Sequence, residues 1–180
     1  MFDAAYSYGA YDGVLRELIH IYKYGKVETM ARPLGDLLRL ALPRDEKWDA
    51  VVPVPLHWRR RWQRGFNQAE LLALDVARAS GAPLVRALRR VKATPAQAGL
   101  SRTARRRNMA AAFRPHRAVQ VEGRRVLLID DVLTTGSTVA ACARALKQAG
   151  AARVVVLTVA RADRRIGGGQ WASDSIEGGL

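Results

Sequence analysis

The sequence predicts an α/β fold, a parallel sheet with helices covering both faces. Short runs dense in β-branched and aliphatic residues, at 49–54, 125–129 and 153–159, alternate with segments whose apolar residues recur at helical spacing. Those runs are apolar at consecutive positions rather than every second one, as in strands buried on both faces. The turns between most of them are short.

Each element has its own signal. Residues 12–24 carry Val14, Leu15, Leu18, Ile19 and Tyr22 on one helical face, and residues 33–42 repeat the pattern with Leu34, Leu37, Leu38 and Leu42. Two helices therefore precede the first core strand, and Pro33 suits a first helical turn. Residues 49–54 are a strand; 67–80 are a helix ended by Gly81; 84–91 read as a strand, with 119–121 either pairing with it or leading onward. Residues 125–129 form the central strand, 138–149 a helix stopped by Gly150, and 153–159 a further buried strand. Residues 92–115 are long and polar, an extended loop retained for function and a candidate lid. The Gly-rich segment 166–180 reads as a disordered tail, leaving residues 1–165 as the expected domain.

The most informative stretch is VLLIDDVLTTGST, residues 126–138. Its apolar run ends in Asp130 and Asp131, at the carboxyl end of a strand, where open α/β sheets bind ligands. Val132 and Leu133 lead into Thr134, Thr135, Gly136, Ser137 and Thr138, and then into an amphipathic helix. Backbone N–H groups at that helix start, the threonine and serine hydroxyls and a permissive glycine make a phosphate cradle. Carboxylates beside it suit a ribose 5-phosphate, accepting hydrogen bonds from the 2′- and 3′-hydroxyls. Neither a G-x-x-x-x-G-K-[ST] loop nor a G-x-G-x-x-G turn after a strand is present.

VLLI followed by DDVLTTGST resembles the signature with which type I phosphoribosyltransferases bind 5-phosphoribosyl 1-pyrophosphate (PRPP). A second region, VVPVPLHWRRRWQRGFNQAELLA at 51–73, is similar to the ComF family, whose pattern includes a P-V-P strand end and an R-G-F-N-Q-A helix start. The YKYGK run at 22–26 and the spacing of Gln97, Leu100, Arg105, Asn108 and Phe113 extend the resemblance over about residues 11–161. It implies a type I phosphoribosyltransferase-like core with a small hood from about residues 10–45, which together with 84–91 would read the acceptor. It also implies a pyrophosphate loop at 55–65 with His57, Arg59 and Arg64 as candidates, and Gln97, Arg105 and Asn108 on the lid. Asp130 and Asp131 become the candidate catalytic acids; Mg2+ would bridge pyrophosphate and ribose oxygens, with these two either contacting it or only orienting the ribose.

Many ComF-like proteins carry a cysteine-rich zinc segment ahead of this domain, whereas Cys142 is the one cysteine here, so no structural zinc is expected in this chain. Either the chain is a shorter member or its start has been trimmed. Cys142 occupies an apolar helical position and is expected in the core.

Charge adds a second hypothesis. The net charge is +14, and residues 57–117 hold 15 of the 30 Lys and Arg against only Glu70 and Asp75. A diphosphate needs about two to four cations, so a polyanionic partner is a reasonable expectation for the remainder. Trp58, Arg59, Arg60, Arg61 and Trp62 interleave aromatics with guanidinium groups, as single-strand binders do, with Arg105, Arg106 and Arg107 as further contacts. The alternative is a solvated basic surface.

With 180 residues, 49% of them hydrophobic, the chain can bury one substantial core. No apolar run approaches the ~18 residues of a membrane span, and signal-peptide regions are lacking, so the expected location is the cytoplasm. Three functional classes stay open: a transferase displacing pyrophosphate from PRPP with an unassigned acceptor, a PRPP sensor, and a DNA-uptake accessory binding single-stranded DNA or a competence-machinery protein. A homo-oligomer is compatible with all three.

Overall fold

The computed structural model describes residues 2–25, 27–56, 62, 65–91, 112–116 and 119–162. Its centre is a four-stranded parallel sheet in the order β1 (Ala4–Ala10), β6 (Arg153–Arg161), β5 (Arg125–Leu133), β2 (Ala50–Pro53). The inner pair, β5 and β6, are nine-residue strands with almost every position buried, which is why their sequences are apolar without alternation.

Side chains of successive strand residues point to opposite faces, and each face has its own cover. On one, Val51, Leu127, Ile129, Val155 and Leu157 meet Ile19 and Tyr22 of α1 (Gly13–Tyr24), Leu34 and Leu38 of α2 (Ala31–Leu40), and Leu72 and Val76 of α3 (Gln68–Ser80). On the other, Val52, Leu128, Val154 and Val156 meet Val139, Cys142 and Leu146 of α4 (Ser137–Gln148). A two-stranded antiparallel ribbon, β3 (Leu88–Arg90) with β4 (Phe113–Pro115), adds Leu88 and Phe113 to that second cluster. Residues 10–45, expected as a hood, contribute α1 and α2, whose buried faces belong to the first cluster.

Several elements differ from the sequence expectation. Strand β1 was not expected from the sequence: AAYSYGA alternates two tyrosines with small residues and has no dense apolar run, and Tyr6 and Tyr8 remain exposed at the sheet edge. Helix α2 begins two residues earlier than expected because a 3-10 turn, Glu28–Met30, runs into it. Pro33 still falls within the first turn, where its missing N–H has no intrahelical partner to lose. The stretch 84–91 is not one strand. Val51 N–H donates to Pro83 O and Val85 N–H to Val51 O, a single parallel bridge onto β2; Ala87 N–H then donates to Val85 O, and this tight bend takes the chain away to pair with β4. Residues 119–121 form no strand, since Val119 N–H donates to His116 O and Arg124 N–H to Val121 O, two turns that occupy the backbone. Among the described residues no helix is long and apolar enough to cross a membrane.

Candidate functional site

The carboxyl end of β5 assembles the site. Pairing with β6 runs past Ile129, with Asp130 opposite Thr158 and Leu133 opposite Arg161, so the acidic pair lies within the last turnless part of the strand rather than beyond it. That placement fixes the acids on opposite sides of the sheet edge. Asp131 turns to the α1 face, where Lys23 Nζ lies 2.8 Å from its Oδ1; the side chains are only 18% and 11% exposed. Asp130 turns to the α4 face. Its Oδ1 accepts the Asp131 N–H at 3.0 Å, and its charge helps push up the buried Cys142 thiol, after burial itself and against the opposing effect of Arg90. Cys142 is therefore a core thiol and not a nucleophile.

The turn after β5 holds the residues expected from the sequence as a phosphate cradle. Val132 and Leu133 bury their side chains in the two core clusters, so only their backbone is available to a ligand. Thr134 and Thr135 are exposed, and Gly136, Ser137 and Thr138 are half-buried. Gly136 takes φ +71°, a left-handed conformation that glycine adopts without strain, and accepts the Ala140 N–H as α4 begins. Thr135 Oγ1 lies 2.8 Å from Ser137 Oγ and accepts the Ser137 N–H at 3.3 Å. The hydroxyls thus hold the turn in shape while the helix N-terminus supplies positive potential.

The last turn of α1 joins this strand end to the start of α3. Tyr22 is fully buried, donates its hydroxyl to Gln68 O at 2.9 Å, and sets its ring 5.5 Å from that of Phe66. Burial first, then the charges of Asp131, Asp75 and Glu28, raise its phenol well above the ordinary range, so it remains a donor. Phe66 and Asn67 follow directly on residues 55–65, the segment expected to grip pyrophosphate, and Asn67 Nδ2 donates to Val54 O at 3.3 Å. Tyr22 and Lys23, consecutive in sequence, tie the start of α3 to the end of β5. The YKYGK match flagged this run as a family feature, but nothing in the sequence paired Lys23 with Asp131.

His57, Trp58, Arg59, Arg60, Arg61 and Arg64 lie outside the described residues, as do Gln97, Arg105, Arg106, Arg107, Asn108 and the tail 166–180. Trp62 is described and is 87% exposed.

A family model for the phosphoribosyl transferase domain matches residues 64–177, which include the acidic pair and its loop. The chain belongs to that family. Within it, the ComF resemblance holds: Competence protein F of Haemophilus influenzae is 39% identical over 165 residues, 86% of this chain and 71% of that one. DNA utilization protein YhgH of Escherichia coli is 39% identical over 154 residues, 82% of this chain and 67% of that one. This phosphoribosyltransferase-like chain spans about two thirds of the length of these curated relatives. A solved structure of the allosteric regulatory enzyme of purine biosynthesis superposes with a TM-score of 0.52 at 25% identity, covering 73% of this chain and 26% of that one.

Proposed function

We propose that the protein binds PRPP at the carboxyl end of β5 and acts as a phosphoribosyltransferase, passing the phosphoribosyl group to an acceptor that the site does not name and releasing pyrophosphate. The observation that carries this reading is the meeting of two carboxylates, one on each side of the strand end, with a hydroxyl-rich turn at the start of α4. Asp130 and Asp131 accept hydrogen bonds from the ribose hydroxyls, one from each side. The 5′-phosphate takes N–H and hydroxyl donors of residues 134–138, displacing the long Ser137–Thr135 contact. In the transfer, the bond from C1 to the pyrophosphate oxygen breaks, its electron pair leaves with pyrophosphate, and the acceptor bonds to C1. Positioning and electrostatics supply most of the acceleration.

The donor set fits Mg2+ of one kind only. Among the described residues no three His, Cys, Asp or Glu side chains gather into a protein cage, whereas two hard carboxylates suit an ion carried in by a diphosphate. When bound, Mg2+ would be held by Asp130 or Asp131 together with substrate oxygens, and would offset charge on the departing pyrophosphate. Titration calorimetry with PRPP, with and without Mg2+, tests the reading. Binding strengthened by Mg2+ is expected, followed by acceptor-dependent pyrophosphate release; a folded protein that takes up no PRPP in either condition overturns it.

A second reading draws on Trp62, whose exposure removes the alternative that this tryptophan packs against the described part of the domain. The relatives named for DNA utilization and competence make single-stranded DNA the partner to try. An exposed indole among arginines can stack on a base at ~1–3 kcal/mol. Trp62→Ala should weaken binding of a fluorescent oligonucleotide by about fivefold or more, with wild-type affinity falling steeply as salt rises. Equal affinity of variant and wild type would remove this reading.

A further inference from the structure

We propose that Lys23 is a positioning residue of the acidic pair, a built-in cation that holds Asp131 in place before any metal arrives and so lowers the Mg2+ that sugar-phosphate binding requires. This rests on the reading of the β5 end as a PRPP site.

The geometry argues against an incidental surface contact. A lysine in the last turn of a helix ordinarily extends into water, where it complements the helix dipole. Lys23 instead reaches Asp131 Oδ1 at 2.8 Å with most of both side chains removed from solvent. Its backbone is held in register by the residue before it: Tyr22 is fully buried, hydrogen-bonded to Gln68 O and packed against Phe66. The ammonium is thus presented from a rigid helix end to one fixed carboxylate.

The need for such a cation follows from the pair itself. Two adjacent carboxylates at a largely buried strand end repel each other, and one ion carried by the substrate would have to neutralise both. With Lys23 on the α1 face, Asp131 is balanced by the protein, and the substrate's metal has less charge to offset. A carboxylate already paired also has one orientation, so less order must be imposed when the ribose hydroxyls arrive.

The test is PRPP calorimetry on wild type, Lys23→Met and Lys23→Arg, from EDTA to saturating Mg2+. The Met variant should bind about tenfold or more weakly at low Mg2+, a gap of ~1.4 kcal/mol, and the gap should narrow as Mg2+ rises; Arg should recover most of the loss. Without PRPP, water-proton relaxation by Mn2+ should report tighter metal binding to the Met variant, whose Asp131 has been released. In an Asp131→Asn background, Lys23→Met should add little, and this arm decides the matter if the single Met variant loses its cooperative unfolding transition. Unchanged Mg2+ dependence in the Met variant overturns the proposal, as does a uniform loss at all Mg2+ concentrations that Arg does not repair. A folded wild type that binds no PRPP overturns the site reading and this inference together; PRPP binding that ignores Lys23 overturns this inference alone.

Discussion

Replacing Asp130 and Asp131 together by asparagine should cost at least about 100-fold in PRPP affinity while leaving the fold in place. Asparagine keeps the shape of each side chain and removes the charge that its partners answer. A hydrogen bond to a charged acceptor contributes ~1.5–3 kcal/mol, so two lost from ribose hydroxyls amount to ~3 kcal/mol or more, which is the stated factor. The single variants should differ in stability. Asp131→Asn leaves the Lys23 ammonium facing a neutral amide in a pocket that is largely shielded from water, and should destabilise by ~1–2 kcal/mol, between the values for exposed and buried pairs. Asp130→Asn retains an oxygen that can accept the Asp131 N–H, so that hydrogen bond survives the substitution. Calorimetry and urea unfolding on the three proteins check both halves, and a double variant that binds PRPP as the wild type does would remove the acids from the site.

The strand, turn and helix that carry the candidate site were legible because their determinants are local. An unbroken apolar run, two carboxylates and a glycine-bearing turn sit within thirteen consecutive residues, and the helix that follows has its own apolar period. Helices α1 and α3 were legible for the same reason. What the sequence hid depends on partners distant along the chain. Strand β1 gains its structure from β6, which it meets through Ala4–Val155 to Ala10–Arg161, and its own alternation of tyrosine with small residues carries little strand signal. The 84–91 stretch reads as one extended run, yet its first half belongs to the edge of β2 and its second to β4, and the bend at 85–87 has no glycine or proline to announce it. The Lys23–Asp131 pair was invisible for a related reason: periodicity places Tyr22 in the core but assigns the neighbouring lysine to solvent, and only the fold brings β5 beneath the end of α1. Extension of β5 past Ile129 was likewise set by β6, whose Thr158 and Ala160 continue the pairing alongside the acids.

Tyr22→Ala should be among the most destabilising single changes in the described part of the chain, at ~3–5 kcal/mol, the range for emptying an aromatic site in a core. The side chain is completely enclosed, and its removal would open a cavity between α1, α3 and the sheet and release the anchor that holds Lys23. Tyr22→Phe isolates the hydroxyl. It should cost ~1–2 kcal/mol, because Gln68 O keeps its burial and loses its donor. The two proteins should also part company in alkali. Burial and the nearby carboxylates raise the folded-state phenol well above the ordinary value near 10, so above about pH 10 the unfolded chain ionises Tyr22 and the folded chain does not. The unfolded state then binds fewer protons, and the wild type should lose up to ~1.4 kcal/mol per pH unit relative to Tyr22→Phe, with the difference constant below that point. Urea unfolding of both proteins from neutral pH to about pH 11 measures the difference directly. A gap between them that does not narrow above pH 10 would mean that the phenol reaches water in the folded protein, and the end of α1 would then be too loosely held to position Lys23 over Asp131.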